Sequence, residues 1–254
     1  MSPATIGMVV FVCAFGGVLA GMRLGRTIPE EHLQGESKES IRTGIGLIAT
    51  MTALVLGLVT ASAKQSFDDV DKTVRNVAAD VLTLDGVLAR YGPETAPLRA
   101  NLRAVVESRV DATWPQGKAG NATVTQGGQA VSIVEQFAAQ VRALAPGTDE
   151  QAWLKSRATD LTEALMEVRF RVIGRIGSSV PVPYLIILVF WLTVTFASFG
   201  IFAPRNAAVV TVLFLCSLSV AAAVFLVLEL DGPFEGLVRV SPEPLTAVLS
   251  LLGR

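Results

Sequence analysis

Residues 5–22, 43–63, 182–203 and 206–228 contain no Asp, Glu, Lys or Arg. An α-helix rises about 1.5 Å per residue, so about 20 apolar residues cross a hydrocarbon core of about 30 Å. Three of the stretches meet that length, and the first lies near its lower limit. Lipid cannot satisfy backbone N–H and C=O groups, and no barrel-type alternation runs through the chain. Each stretch is therefore expected as a transmembrane helix. Met1-Ser2-Pro3-Ala4 lacks the basic residues that open a signal peptide, so the first helix is expected to be retained.

The pattern changes between the second and third stretches. After Lys64 no Gly or Pro occurs until Gly86, and Phe67, Val70, Val74, Val77, Val81, Leu84 and Leu88 recur in three- and four-residue steps. This heptad seam predicts that the second helix continues far beyond the membrane, from about residue 40 to a stop at Tyr91-Gly92-Pro93. Its length would be roughly 75 Å. Leu98, Leu102, Val105, Val106, Arg109 and Val110 predict a second soluble helix closed by Trp114-Pro115. Residues 116–129, rich in Gly and polar side chains, read as a loop, and a short helix is expected over about 130–144. Thr148-Asp149-Glu150-Gln151 has the form of a capping box. The helix it opens carries Leu154, Ala158, Leu161, Leu165, Val168 and Val172, and Ser178, Ser179, Pro181 and Pro183 mark a break before the third stretch.

The predicted fold is thus an all-α membrane protein of four transmembrane helices. A helical, coiled-coil-like soluble domain (64–180) lies between the helix pairs 1–63 and 181–230, and an amphipathic tail (231–254) is capped by Ser241 with Pro242 first in its helix. Four crossings put the soluble domain and both termini on one side. Lys64, Lys72, Arg75, Arg169, Arg171, Arg175 and Arg239 lie near the membrane there, against Arg23, Arg26, Lys38, Arg42 and Arg205 opposite. The positive-inside rule then favours a cytoplasmic soluble domain. Asp68, Asp69 and Asp71 fall at the same depth as Arg169, Arg171 and Arg175. The two sets are expected to pair across antiparallel helices, or the arginines to hold anionic lipid phosphates.

Composition narrows the chemistry. Hydrophobic residues make up 51% of the chain and charged residues only 17%, with a net charge of −1 and no basic tract, which argues against nucleic acid as a partner. Cys13 and Cys216 both fall inside predicted membrane helices and read as apolar fillers, with no disulfide or zinc site. His32, beside Glu30 and Glu31, is the sole histidine and reads as part of a solvated loop. No phosphate-binding loop, paired-cysteine motif, calcium loop or Ser-His-Asp set is present, so the chain is expected to be neither an enzyme nor a cofactor protein. The four stretches hold no ionisable group, which disfavours a carboxylate-coupled transporter.

Helix two carries the one unusual pattern. Gly46, Thr50, Ala53, Gly57, Thr60 and Lys64 share one narrow arc at 100° per residue, with Ile48, Met51, Val55 and Val59 opposite. Small residues at such spacing commonly serve close helix packing, and that is the simpler reading. The sharper reading is a pore wall with Lys64 attracting anions at its mouth.

Several segments add to this. Glu36-Ser37-Lys38, Gly46-Leu47-Ile48-Ala49-Thr50, Ala61-Ser62-Ala63-Lys64, Tyr91-Gly92-Pro93-Glu94, Phe196-Ala197-Ser198-Phe199-Gly200, Pro204-Arg205-Asn206 and Glu229-Leu230-Asp231-Gly232-Pro233-Phe234 resemble a bacterial membrane family described as bestrophin-like. More distantly the order of elements is similar to that of the bestrophins, pentameric anion-conducting channels whose second membrane helix lines the pore. Glu235-Gly236-Leu237-Val238-Arg239 departs from the acidic run that forms a calcium clasp in animal bestrophins. No aromatic residue stands in helix two before Phe67 to match their neck. The resemblance implies an oligomeric, channel-like protein of the bacterial inner membrane that passes anions along helix two. The alternative is a non-conducting membrane scaffold or sensor acting through its soluble helices.

Overall fold

The computed structural model describes residues 2–27, 35–114, 125–174, 182–204, 206–234 and 236–253. Among these the chain is all helical, with no strand: α1 (Pro3–Leu24), α2 (Gly35–Tyr91), α3 (Ala96–Thr113), α4 (Thr125–Arg142), α5 (Asp149–Gly174), α6 (Val182–Phe202), α7 (Ala207–Asp231) and α8 (Glu243–Leu251). Four of them, α1, α2, α6 and α7, are long and apolar enough to cross a membrane. Two compact units divide the chain, one formed by Met1–Phe67 with Ser178–Val238, the other by Asp68–Gly177 with Arg239–Arg254.

The first unit is built on α1. Ser2 caps this helix by accepting the Thr5 N–H at 3.2 Å, and Pro3 occupies the first turn, where its missing N–H costs nothing. Gly17, Gly21 and Gly25 then repeat every fourth position, and α6 answers at the same interval. A Cβ on Gly17 would stand 2.9 Å from the Thr193 carbonyl oxygen, and one on Gly25 would stand 2.8 Å from that of Ile201. One on Gly21 would collide with the carbonyl of Ala197, and Gly200 of α6 is closed in the same way by Val18. Because 17, 21 and 25 meet 193, 197 and 201 in rising order, α1 and α6 run parallel. The backbones approach this closely because no side chain intervenes, and small-residue packing of this kind takes the place of hydrophobic drive between apolar helices.

α7 lies antiparallel to α1. Gly7 meets Phe225, while Phe11 and Phe15 meet Phe214 edge-on at centroid distances of 5.4 and 5.3 Å. Val10, Ala14 and Val18 of α1, Leu188, Leu192 and Phe196 of α6 and Ala221, Val224 and Leu228 of α7 form the core, against which Val55 and Leu56 of α2 pack. Asn206 caps α7 through the Val209 N–H at 2.8 Å. The helix continues to Asp231, past the point where its charge-free stretch ends, because Glu229 is buried with a partner of its own.

In the second unit the heptad seam turns inward. Val74, Val81, Leu84 and Leu88 are buried, and Gly92, at φ +147°, supplies the conformation that ends α2. The buried Thr95 hydroxyl donates to the carbonyls of Leu88 and Gly92 at 2.5 and 2.8 Å, closing the last turn. Leu102, Val106 and Val110, all among the expected positions, form the buried line of α3, while Val105 and Arg109 are half-buried at its edge. Thr148 caps α5 by accepting the Gln151 N–H, and the Gln151 side chain reaches back to the N–H of Gly147 and donates to the carbonyl of Tyr91. The start of α5 therefore lies against the end of α2. Leu154, Ala158 and Leu161 bury its inner line. Asp85 and Arg99 form a bidentate ion pair at 2.7 and 2.8 Å, with the carboxylate side chain 7% exposed.

Some boundaries moved. α2 begins at Gly35, not near residue 40, and α4 begins at Thr125, inside the stretch expected as loop. The tail helix starts at Glu243, one residue beyond Pro242, with Ser241 accepting the Glu243 N–H at 3.2 Å. That tail groups with residues 68–177. The expected loop around His32, residues 116–124 and the break at Ser178, Ser179 and Pro181 lie outside the described residues.

Candidate functional site

Three faces can be told apart on the apolar part of α2. One is packed: Thr52 and Ala63 are buried, Val55 and Leu56 meet the core, and Val59 and Ala63 sit with Leu185, Val227 and Leu230. A second carries large aliphatic side chains, Leu47, Leu54 and Leu58, with Leu54 74% exposed. Gly46, Thr50, Ala53, Gly57 and Lys64 form the third, between the other two, and all five are exposed. Thr60, at the packed edge of this stripe, is half-buried. A Cβ placed on Gly46 or on Gly57 would meet nothing within 4 Å. Gly46 and Gly57 therefore pack against nothing among the described residues, unlike Gly17, Gly21 and Gly25 at the α1–α6 contact. The opposite face is also rotated from expectation: Val55 and Val59 are inward, but Met51 is exposed.

Coverage makes the same contrast. Of the apolar window of α2, 6% is buried, against 33% for α1, 33% for α6 and 17% for α7.

The stripe's polar atoms are arranged in a definite way. Thr50 Oγ1 donates to the Gly46 carbonyl at 2.8 Å and Thr60 Oγ1 donates to that of Leu56 at 2.7 Å. Each hydroxyl proton is thus used inside the helix, and what these threonines turn outward is a methyl group and oxygen lone pairs. Positive charge enters at Lys64, whose Nζ lies 5.7 Å from the ring centre of Phe67, in reach of a cation–π contact.

Beyond Lys64, Asp68, Asp69 and Asp71 are half-buried, and Asp71 accepts from Arg75 Nε at 2.9 Å within its own helix. An i,i+4 pair of this kind contributes about 0.3–0.5 kcal/mol. Arg175 and the side chains of Arg169 and Arg171 lie outside the described residues, and with them the expected pairing across helices. Cys13 and Cys216 are free thiols.

Sequence reasoning passed over Glu229. It is 6% exposed in the last turn of α7, and its carboxylate accepts the Leu237 N–H at 2.7 Å. Gly236, at φ +85°, lies against it. The segment 229–236, Glu-Leu-Asp-Gly-Pro-Phe-Glu-Gly, holds the signal: a carboxylate at a helix end followed by two turn-forming glycines.

Residues 12–245 match the family model described as Bestrophin-like domain. Among curated proteins and among solved structures, none matches the chain.

Proposed function

The chain belongs to the bestrophin-like family, and we propose that it works as an oligomeric, channel-like protein of the bacterial inner membrane, with α2 of each copy facing a shared ion pathway. The observation that carries this reading is the open small-residue face of α2, on the least covered apolar helix of the four. A helix left bare by its own chain, with glycines where a neighbour or a permeating ion can come close, is suited to assembly around an axis. The parallel run of α1 and α6 with α7 antiparallel to both fits four crossings. That parity and the basic residues on that side support membrane insertion with the soluble unit and both termini in the cytoplasm.

Preference for anions rests on Lys64, since the threonine hydroxyls keep their protons inside the helix. No catalytic step is assigned to the chain, and its partners on this reading are lipid, further copies of itself and inorganic anions. The alternative, a non-conducting scaffold or sensor, has to offer a partner some surface other than the heptad seam of α2, whose Val74, Val81, Leu84 and Leu88 are already buried in the chain's own core.

The test is ion flux from liposomes, after light scattering of the particle in nanodiscs has given several copies of the 26.8 kDa chain. Gly57→Leu is expected to block the flux. Lys64→Glu changes the charge at the mouth by two units. At about 8 Å in water-like surroundings that is worth about 1 kcal/mol per subunit, or about a fivefold loss in preference for anions. Flux indifferent to both changes would remove α2 as the pathway, and a monomer would remove the shared axis.

A further inference from the structure

Three charge-free stretches stop together where α7 ends. On α2, Ala63 is followed by Lys64; on α7, Leu228 is followed by Glu229; the stretch of α6 opens at Val182. Ala63 and Val227 are buried in one cluster, with Val59, Leu185 and Leu230 packed against it, so the three helices reach this layer side by side. Tyr184, 56% exposed, stands one residue before Leu185, and an amphipathic aromatic ring at such a level is typical of a membrane–water interface. Beyond Asp231 the chain turns back. The buried Glu229 carboxylate accepts the Leu237 N–H at 2.7 Å, which brings residue 237 back within reach of the last turn of α7. Gly236 suits this reversal by its φ of +85°, and a Cβ there would strike the same carboxylate. The Leu237 side chain is 83% exposed, the most of any large apolar side chain among the described residues; the next, Leu54 and Leu58, lie on the apolar stretch of α2. All of these residues belong to the first unit.

We propose that Leu237 anchors the end of α7 to the bilayer surface, its side chain entering the boundary between lipid headgroups and acyl chains while the Glu229 carboxylate holds the loop in place. A single exposed leucine on a water-facing surface would call for no explanation. This one is set at the edge of the apolar layer by a buried carboxylate and a left-handed glycine, and it is held by its amide, with its side chain left open. An apolar side chain in water is penalised in proportion to its area, and lipid at this level removes that penalty. The same bond serves Glu229, since a carboxylate buried beside hydrocarbon needs a donor. The anchor rests on the membrane insertion proposed above and is independent of ion conduction.

The experiment is site-directed spin labelling of the full chain in vesicles of phosphatidylcholine and phosphatidylglycerol, with oxygen as the apolar collision partner and a nickel chelate as the polar one. Cys13→Ala and Cys216→Ala remove the native thiols and leave a single label at Leu237→Cys, a change that so exposed a side chain tolerates. The ratio of oxygen to nickel collisions at 237 is expected to be several-fold higher than at Trp153→Cys in the second unit, and to match that of a lipid labelled just below its headgroup. A ratio equal to that at 153 would place the residue in water and overturn the anchor. Few collisions of either kind would mean that protein covers it, and would overturn the anchor as well. Gly236→Ala, which displaces the loop from Glu229, is expected to lower the ratio at 237 toward that at 153; an unchanged ratio would remove Glu229 as the holder. Phe190→Cys, at a position 62% exposed on α6, reports insertion by itself. Water-like collisions there would overturn insertion and the anchor together, whereas hydrocarbon-like collisions there with water-like ones at 237 would overturn the anchor alone.

Discussion

Gly21→Leu is expected to yield no folded membrane unit, whereas Gly16→Leu, on the same helix, is expected to fold as the wild type does. The difference lies in what each side chain would meet. At Gly21 the first added carbon already collides with the backbone carbonyl of Ala197, and backbone cannot move aside as a flexible side chain can. At Gly16 there is nothing within 4 Å. Overpacking of a tight interface costs about 1–3 kcal/mol when side chains can yield, and more when two backbones are forced apart. Both substitutions raise hydrophobicity and helix propensity equally, so neither property can account for a difference between them. The check is the yield of monodisperse protein in detergent together with its thermal transition. Equal yields from the two variants would mean that α1 and α6 do not interlock through these glycines.

The second large effect is expected at Arg99. The Asp85 hydrogen bonds hold this guanidinium above its ordinary pKa, against the opposing effect of burial, so it stays charged at every pH the protein meets. Arg99→Met leaves the Asp85 carboxylate buried without its counter-charge. That is expected to cost about 3–5 kcal/mol, read as a lowered unfolding midpoint of the soluble helices by circular dichroism. Asp85→Leu added to Arg99→Met should recover much of the loss, since an apolar pair of similar volume avoids desolvating either charge. A double variant as unstable as the sum of the two single ones would show that the pair does not act as a unit.

Much of this architecture was legible from periodicity. The four charge-free stretches appear as α1, α6, α7 and the first part of α2, and the heptad positions Val74, Val81, Leu84 and Leu88 became core. Tyr91-Gly92-Pro93 ended α2, because glycine and proline at a helix end act locally and need no tertiary context. Other features depend on contacts distant in sequence and could not be read that way. Gly17, Gly21 and Gly25 and the small-residue stripe of α2 both recur in three- or four-residue steps, yet among the described residues only the first set meets another helix. Spacing shows that a backbone can be approached closely; it does not identify what approaches. Glu229 was passed over for a related reason: a charge ends an apolar stretch, and counting charges takes no account of a carboxylate bound to an amide eight residues later. Asp85 and Arg99 lie on either side of the Gly92 stop, and nothing in the period of either helix pairs them.

The interlock of α1 and α6 also has a mechanical side. Helices whose carbonyls sit in one another's glycine notches at Gly17, Gly21, Gly25 and Gly200 can neither slide nor roll without first separating. They form a stator. α2 is joined to that body by side chains on one face and has no such notch, since a Cβ on its Gly46 or Gly57 would meet nothing within 4 Å.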